Sequence, residues 1–241
     1  MNKGNVLITG ANKGIGYETA RQMGQSGYRV WLGSRDPARG RQAVAGLVAE
    51  GIDARLASMD VTNNESVEAA ARQVLEEDGK LDVLINNAGI SGDYPVVPSM
   101  QSISNIMAIY DTNVFGAIRV TQAFLPLLKN AAGARVIMVS SGLGSLAWVS
   151  DPEHPYSRVD AMGYNSSKTA LNAVTVAFAK ELRDFGISVN AVDPGYTATD
   201  FNGHTGYRSV QEAAAGILWL AGLNASDATA GFYFDRELAP W

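Results

Sequence analysis

The 241-residue chain contains no cysteine. Disulfides, thiolate metal sites and a cysteine nucleophile are thereby excluded, and the redox compartment is left open. Two histidines, His154 and His204, are too few for a histidine-based metal site, so no metal is expected. Long apolar runs are also missing. The N-terminal "NVLITG" is too short for the apolar region of a signal peptide. The longest apolar-rich stretch, "AAAGILWLAGL" at 213–223, falls short of the ~20 residues of a membrane span. Nor is there a basic excess: the formal charge of −5 leaves no broad face for nucleic-acid phosphates. A cytoplasmic protein with neither a membrane nor a nucleic-acid partner is expected.

What is present reads as one folded domain spanning 1–241. Short β-branched runs at 5–9, 29–34, 53–59, 81–87, 134–140 and 187–192, with a brief one at 231–235, alternate with amphipathic segments of helical length. The helices are expected at 14–26, 37–50, 63–78, 102–130 (two joined helices), 161–185 and 209–223. Several strands are apolar throughout, which implies burial on both faces of a parallel sheet. The fold class is therefore α/β, a single-domain doubly wound parallel sheet, Rossmann-like, with helices on both faces. The stretch 142–160 is the one long irregular segment, and loops of that length commonly carry function.

"VLITGANKGIGYETA" is a strand, a glycine-rich turn and a helix start. Gly10 permits the sharp exit from the strand, Gly14 lets backbone approach a pyrophosphate, and Gly16 lets the helix pack near the sheet. Free amides and the dipole at the helix start then face the phosphates. No Gly-Lys-Ser/Thr follows, so this is not a Walker A turn. The second strand ends in "LGSRDPARG", where Ser34 and Arg35 stand in place of the acid that usually binds the ribose hydroxyls of NAD. Arg35, with Lys13 inside the turn, suits a 2′-phosphate. Asp36 is the counter-argument. The expected cofactor is NADP(H).

"GYNSSKTAL" places Tyr164 and Lys168 four residues apart, on one face of a helix. A free phenol has a pKa of about 10, poorly matched to proton transfer near neutrality, and a nearby ammonium favours the phenolate. The pair is thus a candidate acid–base device.

With "TGANKGIG", "NNAG" and "YNSSK" in one chain and in this order, the sequence resembles the short-chain dehydrogenase/reductase family over nearly its whole length. The "GANKGIG" turn, with Asn12 and Lys13, and the extended segment before Tyr164 are similar to the carbonyl-reductase branch. The resemblance implies that Thr9, Gly10, Gly14, Ile15 and Gly16 form the cofactor turn and that Asp60 and Val61 meet the adenine. It places Asn87 and Gly89 along the cofactor, and Pro194 and Gly195 on the nicotinamide side. Thr199, or else Thr197, is implied as the carboxamide contact.

The catalytic set it implies is Asn113, Ser141, Tyr164 and Lys168, with Ser140 pointing the other way. In that set Tyr164 gives the proton, Ser141 steadies the oxyanion and Lys168 also holds the ribose. Asn113 holds a water that connects Lys168 to solvent. The implied activity is NADPH-dependent reduction of a ketone or aldehyde carbonyl to an alcohol, reversibly, on a small-molecule substrate. The alternative is an NADP(H)-binding regulator or sensor that turns nothing over. A serine hydrolase is disfavoured, because Val139 and Ser140 precede Ser141 and no Gly-x-Ser-x-Gly elbow exists.

Compared with compact members of that family, extra residues sit in 142–160. Pocket walls are expected at about 91–97, 142–160 and 196–208, with Leu146, Trp148, Tyr156, Tyr196, Phe201 and Tyr207 as an apolar and aromatic lining. The 196–208 segment contains Gly203 and Gly206 and is a candidate lid. The tail "FYFDRELAPW" either completes the sheet or reaches a neighbouring subunit, leaving monomer, dimer and tetramer open.

Overall fold

The computed structural model describes residues 3–93, 96–226 and 228–241. Eight strands form one sheet: β1 (Asn5–Ile8), β2 (Arg29–Ser34), β3 (Ala54–Ser58), β4 (Val83–Asn86), β5 (Arg135–Val139), β6 (Ser188–Val192), β7 (Phe232–Phe234) and β8 (Glu237–Leu238). Their order is β3-β2-β1-β4-β5-β6-β7-β8, parallel except for the final antiparallel β7–β8 pair. The strands are apolar because both faces are covered. Successive side chains leave β1 on opposite sides. Leu7 joins a core with Trp31, Val67, Phe124 and Phe178, whereas Val6 and Ile8 join one with Met23, Leu47, Ile217 and Leu220.

The first of these cores lies under α3 (Asn64–Asp78), α5 (Gly116–Lys129) and α7 (Met162–Leu182). The second lies under α1 (Gly14–Gln25), α2 (Pro37–Ala49) and α8 (Val210–Gly222). Because β1 is flanked by β2 on one side and β4 on the other, the strand order reverses there. The place beyond the carboxyl ends of these two strands is where such sheets bind ligands.

One expectation changes and two are filled in. The 102–130 segment is two joined helices as expected, α4 (Ile103–Tyr110) and α5, with a π-helical turn over Asp111–Phe115 between them. The 142–160 stretch is not irregular throughout. It contains α6 (Leu146–Ser150) between 3₁₀ turns at Gly142–Gly144 and Pro155–Arg158. Buried Ser145 caps α6 by accepting the Trp148 amide at 3.2 Å, and Trp148 stacks on His154 at 5.2 Å with Tyr156 against its edge. The tail, finally, completes its own sheet with β8. Trp241 then stacks on Phe232 at 5.5 Å, and its carbonyl accepts the Ala147 amide at 3.1 Å. Tyr94 and Pro95, in the expected 91–97 wall, lie outside the described residues. Among the described residues no helix is long and apolar enough to cross a membrane.

Candidate active site

The glycine turn leaves β1 through Gly10 in the left-handed region (φ 64°), where a Cβ would come within 3.0 Å of the Ala88 backbone. Gly14 is also left-handed (φ 59°). At Gly16 a Cβ would meet Asn87 Nδ2 at 2.5 Å and the Gly10 carbonyl at 2.7 Å, so only glycine lets α1 start this close to the sheet. Asn87 ties β4 to this turn. Its Nδ2 donates to the carbonyls of Thr9 (2.9 Å) and Gly10 (3.2 Å), while Thr9 Oγ1 accepts the amides of Asn87 and Ala88. Lys13 occupies the N-cap position of α1, which has no side-chain cap and no acid in its first turn. The amides of Gly14, Ile15 and Gly16 are therefore available to an anion.

At the adenosine end the acids are committed. Asp36 caps α2, accepting the amides of Ala38 (2.9 Å) and Arg39 (3.1 Å). Buried Ser34 donates its hydroxyl to the Asp36 carbonyl at 2.9 Å. Arg35 is exposed and close enough to Asp60 to influence it. Burial raises the Asp60 carboxyl, but bonds from the Thr62 amide and hydroxyl, helped by Arg35 and Arg119, hold it below the usual range. Val61 is buried beside it, with its carbonyl accepting Arg119 at 3.2 Å. Lys13 is not free: its ammonium pairs at 2.8 Å with Asp200, whose other oxygen bonds His204 at 2.9 Å. All three are exposed, so the pairing is worth little in stability.

Beyond its carboxyl end β5 delivers two serines with opposite fates. Ser140 donates to Asn172 Oδ1 at 2.6 Å in the interior, while Ser141, whose Oγ accepts the Leu143 amide at 3.2 Å, faces the Tyr164 hydroxyl closely enough to ease its ionisation. Lys168, one turn along α7 and only 4 % exposed, donates to the Val139 carbonyl at 2.8 Å. Its ammonium lies 5.6 Å from the Tyr164 ring centre. Gly89 faces this lysine. A Cβ there would stand 3.7 Å from Nζ and 3.3 Å from Asn113 Oδ1.

Asn113 sits in the π turn and spends its side chain on structure. It accepts the Ile90 amide (2.8 Å) and donates to the Ile90 carbonyl (2.9 Å) and Ser167 Oγ (3.0 Å). Thr197 turns its hydroxyl back on the carbonyls of Pro194 and Gly195. Thr199 instead reaches the glycine turn, its Cγ2 3.6 Å from where a Gly14 Cβ would be. Of the expected pocket aromatics, Phe201 packs on Tyr164 at 5.7 Å.

The electrostatics differ from the sequence reading in one respect. Burial pushes the Tyr164 phenol up, eased only partly by Ser141, so here it is a firmly held proton rather than a ready phenolate. Burial likewise takes Lys168 down, to about 8. Desolvation is the largest cause for both groups. Sequence reasoning also missed Asp193. A carboxylate ending the apolar run "ISVNAV", just before Pro194-Gly195, was the signal available.

A glycine turn at the reversal point of a doubly wound sheet, with serine, tyrosine and lysine at its mouth, has the form of a dinucleotide-binding protein. Residues 4–208 match the family described as short chain dehydrogenase, and the chain belongs to that family of oxidoreductases. It is 36 % identical to the short-chain dehydrogenase anuI of Penicillium roqueforti, covering 90 % of this chain and 87 % of that one. With the (+)-neomenthol dehydrogenase of Arabidopsis thaliana it shares 32 % identity over 96 % and 95 % of the two chains. The structure of an NADPH-bound carbonyl reductase from chicken fatty liver superposes with a TM-score of 0.88 at 29 % identity, each chain covered in full.

Proposed function

We propose that this oxidoreductase is an NADPH-dependent reductase of ketone or aldehyde carbonyls, acting reversibly on a small molecule with an apolar side. The observation that carries the reading is the convergence of Ser141 on Tyr164, with the buried Lys168 ammonium 5.6 Å from the Tyr164 ring. The residues present fit a dinucleotide. Amides without a cap await the pyrophosphate, Gly89 leaves room over Lys168, and Thr199 closes on the turn. Arg35 supplies positive charge for a 2′-phosphate, Lys13 adds to it by exchanging its exposed pair with Asp200 for the phosphate, and Asp36 spends Oδ1 on capping α2. The chicken relative, bound to NADPH, supports the same choice.

When bound, NADPH supplies the hydride that the carbonyl carbon receives. The hydroxyls of Ser141 and Tyr164 converge on the carbonyl oxygen. Tyr164, kept neutral by burial, gives its proton as negative charge develops there, and Ser141 remains as a donor to the oxyanion. A preorganised donor of this kind contributes roughly 3–4 kcal/mol of barrier lowering. Lys168 orients the ribose hydroxyls and favours the phenolate that forms. The Asn113 side chain is held by Ile90 and Ser167, and the part that the family resemblance gives Asn113 is to hold a water that connects Lys168 to solvent.

Loss of reduced-nicotinamide absorbance, measured with NADPH and NADH over aliphatic and aromatic ketones and aldehydes, tests the proposal. Turnover with NADPH well ahead of NADH is expected. Tight NADPH binding with no turnover across the panel would instead identify an NADP(H) sensor.

A further inference from the structure

The reaction above leaves one buried carboxylate unused. Asp193 is the first residue beyond β6 and is 5 % exposed. Val192 pairs with Val139 across β5–β6, and the Ser140 amide donates to the Val192 carbonyl at 2.8 Å, so Asp193 stands beside the Ser140–Ser141 step. Its own amide donates to the Tyr233 carbonyl at 2.8 Å, which fixes its backbone. Oδ1 accepts the Gly195 amide at 2.8 Å. Oδ2 has no hydrogen-bond partner of good geometry and feels only the field of the Gly142 amide and of Arg208. It lies 2.7 Å from where a Gly142 Cβ would stand, a space shared with the rings of Tyr156 and Trp148.

The ionisable groups that face this carboxylate come from three directions. Tyr164 and Lys168 belong to α7, Tyr156 to the 142–160 segment, and Arg208 and Asp235 to the end of the lid and the β7–β8 turn. Arg208 does not neutralise Asp193, because its terminal nitrogens form a fork with Asp235 at 2.8 and 2.7 Å while its buried Nε stays unpartnered.

We propose that Asp193 is a positioning residue for proton transfer: it fixes the Pro194–Gly195 turn beside the Ser141–Gly142 step, and its buried carboxylate sets the electrostatic field around Tyr164 and Lys168. The inference rests on the reading of Tyr164 and Lys168 as the proton-transfer pair. Burial alone draws Lys168 toward neutrality, and Asp193 opposes that; on Tyr164 it acts in the same upward sense as burial. Burial also raises Asp193, against the stabilising amides of Gly195 and Gly142 and the field of Arg208. A buried negative charge beside both members of the pair holds protons on each of them.

Asp193→Asn keeps the shape and the Oδ1 acceptor while removing the charge. Asp193→Ser is a second neutral variant whose hydroxyl can still accept the Gly195 amide. Lysine labelled with carbon-13 at Cε, the Lys168 resonance being assigned by its loss in Lys168→Met, reports the titration without turnover. Both neutral variants are expected to move the Lys168 midpoint down by about 0.5–1 pH unit, as loss of a neighbouring opposite charge should. The basic limb of the kcat profile for reduction should move the same way, with the NADPH dissociation constant held.

An unmoved Lys168 midpoint in both variants overturns the inference, since a purely structural brace would lower kcat without shifting it. A shifted midpoint in a protein with no carbonyl turnover keeps the electrostatic role and removes the reductase reading. Where neither variant folds, the carboxyl carbon resonance of Asp193 in the unaltered protein decides: ionised at neutral pH is the expected result, protonated the contrary one.

Discussion

At the scale of the residue, burial decides what each polar group can do. Lys168 and Tyr164 are both taken out of water, and each is pushed toward its neutral form. For the lysine this has a consequence for stability. Its folded pKa of about 8 lies below the about 10.4 of an unfolded lysine, so the unfolded chain binds more protons between those values. The burial penalty is therefore present in full below pH ~8 and is relieved as pH rises toward ~10. Urea unfolding at pH 7.5 and 9.5 should show wild type gaining stability relative to Lys168→Met over that interval; a constant difference would contradict the assignment.

At the adenosine end, Arg35→Ala combined with Lys13→Ala should weaken NADPH binding at least tenfold while changing NADH binding little. Dissociation constants from nicotinamide fluorescence check this, and an equal loss for both cofactors would remove the 2′-phosphate role. The commitment found at Asn113 could not have been read from spacing, because only the fold brings the Ile90 backbone near its amide. Ser34 and Thr197 turn back on carbonyls two or three residues away, local bonds of a kind common for hydroxyls in turns.

At the scale of the element, the strands were legible because parallel pairing demands burial on both faces, and runs such as "NVLIT" and "ARVIMVS" carry that demand in their composition. Strand β8 and helix α6 were not. Strand β8 has two exposed residues, and the turn before it uses Asp235 and Arg236, both left-handed (φ 47° and 71°), instead of the Asn-Gly that announces a tight hairpin. The two joined helices of 102–130 were expected, but their junction has no proline or glycine inside it; a π turn supplies the offset and sets Asn113 inward.

Helix α6 escaped notice because its five residues are held by the Ser145 cap and by aromatic stacking from elsewhere in the segment. Ser145 is fully buried, so Ser145→Ala should cost about 1 kcal/mol and loosen this wall. Denaturant melts would show the loss, and faster hydrogen exchange at 146–150 would locate it. Unchanged stability would make the cap incidental.

At the scale of the whole molecule, the sheet brings residues far apart in sequence to one opening. Thr9, Asn87, Ser141 and Thr199 come from β1, β4, β5 and the segment after β6, and α7 sets Tyr164 and Lys168 against them. The C-terminal strand closes the edge beside this opening, and Trp241 braces Phe232 and the Ala147 amide of the 142–160 segment. Trp241→Ala should therefore destabilise by about 1–2 kcal/mol and raise KM for substrate more than it lowers kcat. Steady-state kinetics with the best ketone of the panel would check this; a pure kcat loss would argue that the tail acts on the proton-transfer pair.

All of this depends on Tyr164 being the proton donor. The most direct measurement is the turnover number of Tyr164→Phe beside wild type, with NADPH affinity determined on the same samples. A kcat reduced at least a hundredfold is expected, in line with the loss of a positioned acid, with a dissociation constant for NADPH within a few-fold of wild type. Turnover retained by the phenylalanine variant would contradict it.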